Sequence, residues 1–160
     1  EARIKSATVA DNGVSQFIGL AWDDGSAVSV AGAEALVDNN GNLGDFSFLG
    51  FHCDAADGDA WDFVYKAEGD SQTVAIAGVD VGVADTYAKF GFIYDPSAPD
   101  ANKITVYVDG VKSSTYVTAA NIAAAAFPDA ESLAPTWATK VGSAAAVLCN
   151  LDWWRCAQLR

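Results

Sequence analysis

Four carboxylates lie within nine residues of this sequence, in the segment DAADGDAWD. Hard cations such as calcium bind clustered carboxylate oxygens, so the segment is a candidate metal site. The spacing is not that of an EF-hand loop, and an acidic turn facing solvent accounts for the same residues. We therefore favour a solvated turn and no cofactor, with calcium as the alternative. The candidate ligands are Asp54, Asp57, Asp59 and Asp62.

Residues for acid–base or nucleophilic catalysis do not occur together. Glycoside hydrolysis needs two carboxyl groups about 5 Å or about 6.5–9.5 Å apart, but the four glutamates are scattered. The single histidine, His52, precedes Cys53, and neighbouring residues of a strand point to opposite faces. Neither a Gly-x-Ser-x-Gly elbow nor a glycine-rich phosphate loop is present. The sequence predicts a protein that is not an enzyme, with no catalytic residues.

Exposed aromatic side chains are the remaining candidates for a site, because tryptophan anchors many partners. Trp153 and Trp154 are adjacent in the terminal strand, so their side chains must face opposite sides. We expect one of them in the core and the other on an outer surface as a partner contact.

Short runs of alternating apolar and polar residues, separated by turn residues, position these groups in an all-β fold. Asp109-Gly110 predicts a tight hairpin. Ala119–Ala126 predicts one short helix, and Ala33–Val37 is compatible with a single helical turn. The predicted strands are Ala2–Ile4, Gln16–Trp22, Phe46–Cys53, Trp61–Ala67, Thr73–Val79, Tyr87–Asp95, Lys103–Asp109, Val111–Val117, Leu133–Val141 and Val147–Leu159.

About ten such strands predict two packed antiparallel sheets whose inner faces lie roughly 10 Å apart. We expect large apolar side chains to fill the space between them. The predicted suppliers of this core are Phe17, Phe48, Phe63, Phe90, Phe92, Val106 and Val108.

Length and charge limit the classes of partner. The 160 residues suit one domain, residues 1–160. The net charge is −12, and it is uneven: residues 1–80 carry −11 and residues 81–160 carry −1. Nucleic acid and anionic membranes need clustered basic residues, so neither is predicted as a partner. We expect the acidic half to face solvent or a basic partner surface, and aromatic contacts to lie in the near-neutral half.

Three cysteines, an odd number without metal-ligand spacing, favour buried reduced thiols over a disulfide framework. Cys53 pairing with Cys149 or Cys156 stays open. The chain contains no methionine and begins within a strand-like segment, which favours a form lacking its native N-terminal segment.

The segment TYAKFGFIYDPSAPDANKITVYVDGVKSSTYV, together with LCNLDWWRCAQL near the end of the chain, resembles the concanavalin A-like lectin/glucanase superfamily. The laminin-G-like branch is the nearest match. This resemblance implies a two-sheet jelly roll, and calcium at a sheet rim is frequent among such relatives. The glucanases of the superfamily use a Glu-x-Asp-x-x-Glu strand motif that this sequence lacks. Since the superfamily includes lectins, glycosidases and structural modules, the fold does not choose the function.

A finer resemblance covers nearly the whole chain. Segments such as WDFVYKAEG, YAKFGFIYDP and FPDAESLAPTWATKVGSAAA are similar to a group of tailed-phage virion proteins with this fold. The resemblance implies a capsid decoration or cement protein on the outer capsid surface of a virion. Its partners would be the major capsid protein or other virion proteins, with self-association as a further option. The alternative is an extracellular carbohydrate-binding module of a phage receptor-binding protein or a secreted adhesin, with a glycan as ligand.

Overall fold

Ten strands form two antiparallel five-stranded sheets in the computed structural model, which describes residues 1–8, 14–22, 43–54, 60–141 and 147–157. Sheet A has the order β10-β1-β6-β7-β8, and sheet B has the order β5-β4-β3-β2-β9. The strands are β1 (Ala2–Ser6), β2 (Val14–Trp22), β3 (Phe48–Cys53), β4 (Ala60–Lys66), β5 (Thr73–Val81), β6 (Ala88–Tyr94), β7 (Ile104–Val108), β8 (Val111–Val117), β9 (Leu133–Val141) and β10 (Cys149–Trp154).

This architecture confirms the predicted all-β sandwich of about ten strands, and it is compatible with a jelly roll. Most strand bounds fall within two residues of the prediction. The last strand is shorter, since β10 ends at Trp154 rather than at Leu159. The predicted helical turn at Ala33–Val37 lies outside the described residues.

The hairpin between β7 and β8 has the predicted two-residue turn. Asp109 and Gly110 have φ angles of 50° and 81°, and Val108 pairs with Val111 across the turn. Two consecutive positive φ angles define the type I′ turn, whose twist matches that of the flanking strands. This turn fixes the register of β8 against β7 and so aligns their side chains.

The predicted helix is present but short, spanning Ala119–Ile122 (α1). Thr118 caps it, because its side chain accepts the backbone N–H of Asn121 and the Asn121 side chain accepts the N–H of Thr118. Beyond α1, the Ala126 carbonyl accepts the N–H of Ala67 at 2.7 Å, which ties this segment to the end of β4. Among the described residues, no helix is long and apolar enough to cross a membrane.

Aromatic rings from both sheets form the core between them. The Phe51 ring of sheet B lies 5.1 Å from the Phe90 ring of sheet A, and Trp61 lies 4.5 Å from Phe90. Phe63 and Phe92 make a similar contact across the sheets at 5.3 Å. These edge and tilted contacts are favourable aromatic geometries, so they help to hold the two sheets together.

The prediction that Phe17 and Phe48 lie between the sheets is wrong. Ile18 pairs with Phe51 in the inner core, so the alternation of β2 and β3 turns Phe17 and Phe48 to the opposite face of sheet B. Both side chains are fully buried there, in a second apolar cluster. That cluster consists of Phe17, Ala21, Leu43, Phe46, Phe48 and Val64.

Candidate binding surface

The face of sheet A that points away from the core is a broad surface of mixed aromatic and basic side chains. Strand register places these residues on one side, because their neighbours along each strand point into the core. We call this surface the outer face of sheet A. It comprises Asn150 and Trp153 of β10, Arg3 and Lys5 of β1, Lys89, Gly91 and Ile93 of β6, Thr105 and Tyr107 of β7, and Lys112 and Tyr116 of β8.

Several side chains of this surface are open to solvent. Ile93 is 56% exposed and Trp153 is 36% exposed. Lys112 is exposed, whereas Tyr107 and Tyr116 are half-buried. A sheet face that carries an exposed isoleucine and an exposed tryptophan is available for contact with another molecule.

Cations lie against aromatic rings across this surface. The guanidinium of Arg3 is 4.3 Å from the centroid of the Tyr87 ring, and the Lys5 ammonium is 5.4 Å from the same centroid. On the far side of the sheet, the Lys112 ammonium is 4.9 Å from the Tyr116 centroid. Such cation–π contacts orient the charged groups beside apolar area, so one partner can contact both.

Carboxylates at the border of the surface pair with some of the cations. Arg3 bonds Asp152 at 2.7 Å, and Lys5 lies 3.6 Å from Asp85. Lys89 lies 3.6 Å from Glu1. Arg3 and Asp152 are both exposed, so their pair contributes little to stability, whereas Lys5, Lys89 and Glu1 are partly buried.

Glu1 is the carboxylate with the most cationic surroundings here. It accepts hydrogen bonds from the Arg155 guanidinium, and its side chain lies over Gly91. Burial alone would raise the pKa of this carboxyl, but the hydrogen bond and charge of Arg155, with the charge of Lys89, lower it overall. Glu1 and Arg155 also exchange backbone hydrogen bonds of 2.7 and 2.9 Å, which extend the pairing of β1 with β10.

Trp153 and Trp154 lie on opposite sides of β10, as predicted, but the expectation that one is in the core is wrong. Trp153 belongs to the outer face of sheet A, and Trp154 points toward the inner side opposite Ala2. Trp154 is nevertheless 47% exposed. β10 is an edge strand of sheet A, so its end lies at the rim of the sandwich.

The four candidate calcium ligands are only partly described. Asp54 follows β3 and is half-buried, while Asp62 lies in β4, where its Oδ1 accepts the N–H of Gly78 at 2.7 Å. Asp57 and Asp59 lie outside the described residues. Within the ranges that the structure describes, no three histidine, cysteine or acidic side chains form a metal-binding group. The calcium hypothesis therefore stays a prediction.

His52 and Cys53 face opposite sides of sheet B, in agreement with the sequence analysis. His52 is 4% exposed and pairs in register with Asp62, whereas Cys53 belongs to the inner core. All three cysteines are free thiols, but only Cys53 is buried; Cys149 is half-buried and Cys156 is exposed. Burial raises the pKa of the Cys149 thiol, partly offset by a contact with the Ser6 hydroxyl at 3.8 Å.

A small cavity of about 30 Å³ lies near one end of the sandwich. Gln16 lines it and is 3% exposed, and among the described residues its Oε1 atom has no hydrogen-bond partner. The volume suits about two water molecules, and Ser6, Thr8 and Trp61 also line the cavity. It is therefore a site for solvent rather than for a sugar ring.

The basic residues of the outer face of sheet A were not predicted from the sequence. Alternation within a strand does place Arg3 with Lys5, and Lys89 with Ile93, on one face. It does not show that β1 lies between β10 and β6, which brings Arg3 opposite both Lys89 and Trp153. Strand order is set by pairing between segments far apart in the chain, so single-strand patterns do not contain it.

A scan against protein-family models found no match, and searches of curated proteins and of solved structures also found none.

Proposed function

We propose that this chain is a non-enzymatic structural protein that binds an assembled protein shell, as a capsid decoration protein does on the outer surface of a virion. The observation that carries the proposal is the contrast between the sheets. Among the described residues, sheet B has apolar clusters on both faces, whereas sheet A has one on its inner face only. The outer face of sheet A is then the broad surface left for a partner, with exposed aromatic, aliphatic and basic groups.

The sheet edges are poorer candidates for a partner, because each carries a feature that disfavours strand addition. β9 contains Pro135 and Lys140, and β8 contains Lys112 beside an irregularity in its pairing with β7. The pairing of β5 with β4 shifts twice, and that of β10 with β1 shifts once. A partner is therefore expected to lie on a face rather than to extend a sheet.

In this role, the protein acts through the free energy of binding at an interface. A protein that binds the assembled shell, and neither the free nor the unfolded shell subunit, stabilises the shell by mass action. Such a role needs no catalytic group or cofactor. The resemblance of the chain to phage virion proteins and the near-neutral charge of the half that supplies most of sheet A support this assignment.

The test is co-sedimentation with capsids purified from the virus that, on this proposal, encodes the chain, with and without EDTA. We expect saturable binding that EDTA does not change. Ile93→Asp should weaken it at least tenfold, because a carboxylate would replace exposed apolar contact area. Val74→Asp is the matched control, since Val74 is 47% exposed and pairs with Val64 of the covered cluster on sheet B. Absence of capsid binding by the unmodified protein would overturn the proposal.

One observation favours a glycan as the second candidate partner. Trp153 offers an exposed ring, with the Arg155 guanidinium 5.9 Å from its centroid and Asp152 next to it in β10. Sugar rings stack on such an aromatic surface and bond nearby polar groups. A glycan array with the unmodified protein and Trp153→Ala separates the two functions. Specific glycan binding that Trp153→Ala removes, in a protein that does not bind capsids, would establish the glycan function. Loss of glycan binding in EDTA would indicate a calcium site in the segment Asp54–Asp62.

A further inference from the structure

We infer that the partner of the outer face of sheet A is an acidic protein surface, whose carboxylates contact the lysines of β1, β6 and β8. This inference rests on the proposed function and specifies the chemistry of the shell surface that the protein would bind. It differs from the expectation drawn from the overall charge, which favours a basic partner for the acidic half of the chain.

The distribution of charge is the first argument. Within the part of the chain that the structure describes, five basic residues and four carboxylates lie on or beside this one surface, although the whole chain carries −12. The rest of the chain then has four basic and seventeen acidic residues. Carboxylates of a partner therefore meet less repulsion here than elsewhere. The basic residues are Arg3, Lys5, Lys89, Lys112 and Arg155, and the carboxylates are Glu1, Asp85, Asp109 and Asp152.

The arrangement of the cations is the second argument. Arg3 and Lys89 occupy directly opposite positions on neighbouring strands. Like charges in such cross-strand pairs repel, and Asp152 beside Arg3 and Glu1 beside Lys89 offset part of that repulsion. Carboxylates of a partner would lie near both residues and relieve that repulsion. The surface thus gains more from an acidic partner than from a neutral one.

Lys112 provides the third argument. Among the described residues, no carboxylate lies within 4 Å of its ammonium group, whereas Lys5, Lys89 and Arg3 all have such a neighbour. It is exposed on the edge strand β8, with the Tyr116 ring beside it. Lys112 is therefore the cation best placed to form a new ion pair without breaking an existing one.

A protein surface is favoured over a nucleic acid. A phosphate backbone carries one negative charge about every 1.7 Å, so binding it requires many cations that are not already paired. Three of the four cations within the outer face of sheet A have carboxylate neighbours, and the net charge of −12 opposes approach by a polyanion. Isolated carboxylates on a protein, beside apolar contacts for Ile93 and the tyrosines, fit this surface better.

The experiment repeats the capsid co-sedimentation at increasing sodium chloride with two charge-reversal variants. Lys112→Glu should weaken binding at least tenfold and reduce its dependence on salt. Lys140→Glu changes the net charge by the same amount but lies on sheet B, opposite Ser15, so it should bind as the unmodified protein does. Circular dichroism of both variants checks that each is folded.

The outcomes separate this inference from the proposed function. If the unmodified protein binds capsids but neither salt nor Lys112→Glu changes the affinity, the acidic partner is wrong and the shell-binding function stands. If Lys112→Glu strengthens binding, the partner surface is basic and the inference is also wrong. A third outcome is that the protein does not bind capsids but binds heparin or DNA, and that Lys112→Glu abolishes this binding. In that case both the shell-binding function and the acidic protein partner are wrong.

Discussion

The outer faces of the two sheets differ in what covers them. On sheet B the outward side chains of β2, β3 and β4 include Phe17, Phe48 and Val64, and all three are fully buried. On sheet A the equivalent positions hold arginine, lysine, tyrosine and an exposed isoleucine. One sheet is thus a central layer with apolar contacts on both sides, and the other presents one side to solvent.

The uneven charge of the sequence follows the same division. Strands β2 to β5 of sheet B come from the half of the chain that carries −11, and β6, β7, β8 and β10 of sheet A come from the half that carries −1. The exceptions are β1, which adds Arg3 and Lys5 to sheet A, and β9 of sheet B, which comes from the half that carries −1. The strands themselves account for only part of this difference, since β2 to β5 contain Asp62, Asp80 and Lys66 as their acidic and basic residues, whereas the strands of sheet A contain Arg3, Lys5, Lys89, Lys112 and Asp152.

The largest effect that tests this contrast is the loss of an aromatic ring from each face. Phe48→Ala should lower the free energy of unfolding by about 3–5 kcal/mol, because the ring is fully buried and its loss leaves a cavity. Tyr107→Ala on sheet A should cost about 1 kcal/mol or less, since its ring is half-buried. Urea unfolding followed by circular dichroism measures both. Equal losses would show that the two outer faces are not energetically distinct.

A methyl group added to each face gives the next largest contrast. Gly50 lies opposite Gly19, and a Cβ atom on it would approach the Ile18 carbonyl oxygen to 2.6 Å and the Gly19 Cα to 2.7 Å. Gly50→Ala should therefore destabilise the protein by about 3 kcal/mol, since backbone atoms must move.

Gly91 is the matched position on sheet A. The three atoms nearest to a Cβ at this position would be Cγ, Cβ and Cα of Glu1, at 3.2, 3.3 and 3.6 Å. Because these contacts are longer than those at Gly50, a shift of a few tenths of an ångström at Glu1 relieves them, and Gly91→Ala should change the unfolding midpoint little. A large destabilisation at Gly91 would mean that the outer face of sheet A is as closely packed as that of sheet B.

The sequence predicts the strands well and the faces less well. Alternation, turn residues and the Asp-Gly pair locate ten strands and the β7–β8 hairpin, because these signals act over a few residues. Phe17 and Phe48 show the limit of this reasoning. Alternation indicates that each strand has two sides, but it does not indicate which side faces the other sheet when both are apolar.

The candidate surface was less predictable for a related reason. Trp153 could be predicted as a contact residue from its residue type. Lys89 and Lys112 could not, because only the strand order places them on one surface with Arg3. For Trp154, the direction of the side chain could be predicted but its exposure could not. Its inward direction follows from alternation, but its exposure depends on the position of β10 at a sheet edge.

Removal of one carboxylate from each face should give the smallest difference in unfolding free energy, and this difference should depend on pH. Lys66 is almost fully buried on sheet B, and its ammonium lies 2.8 Å from Asp45, so Asp45→Asn leaves a buried charge without its partner. We expect a loss of about 1–2 kcal/mol, below the value for a fully buried pair because Asp45 itself is exposed. Asp152→Asn removes the partner of Arg3, where both side chains are about 40% exposed, and should cost about 0.5 kcal/mol or less.

The effect of pH on the Asp45 pair has a defined sign. Hydrogen bonds from Lys66 and from the Gly69 N–H lower the pKa of Asp45 from its ordinary value of 3.8. The folded state thus favours the ionised carboxylate, and this stabilisation is complete above the ordinary pKa and lost as pH falls through the lowered one. Urea unfolding at several pH values should show the gap between the unmodified protein and Asp45→Asn closing below pH 3.8. A gap that persists in strong acid would assign the loss to packing around Lys66 rather than to its charge.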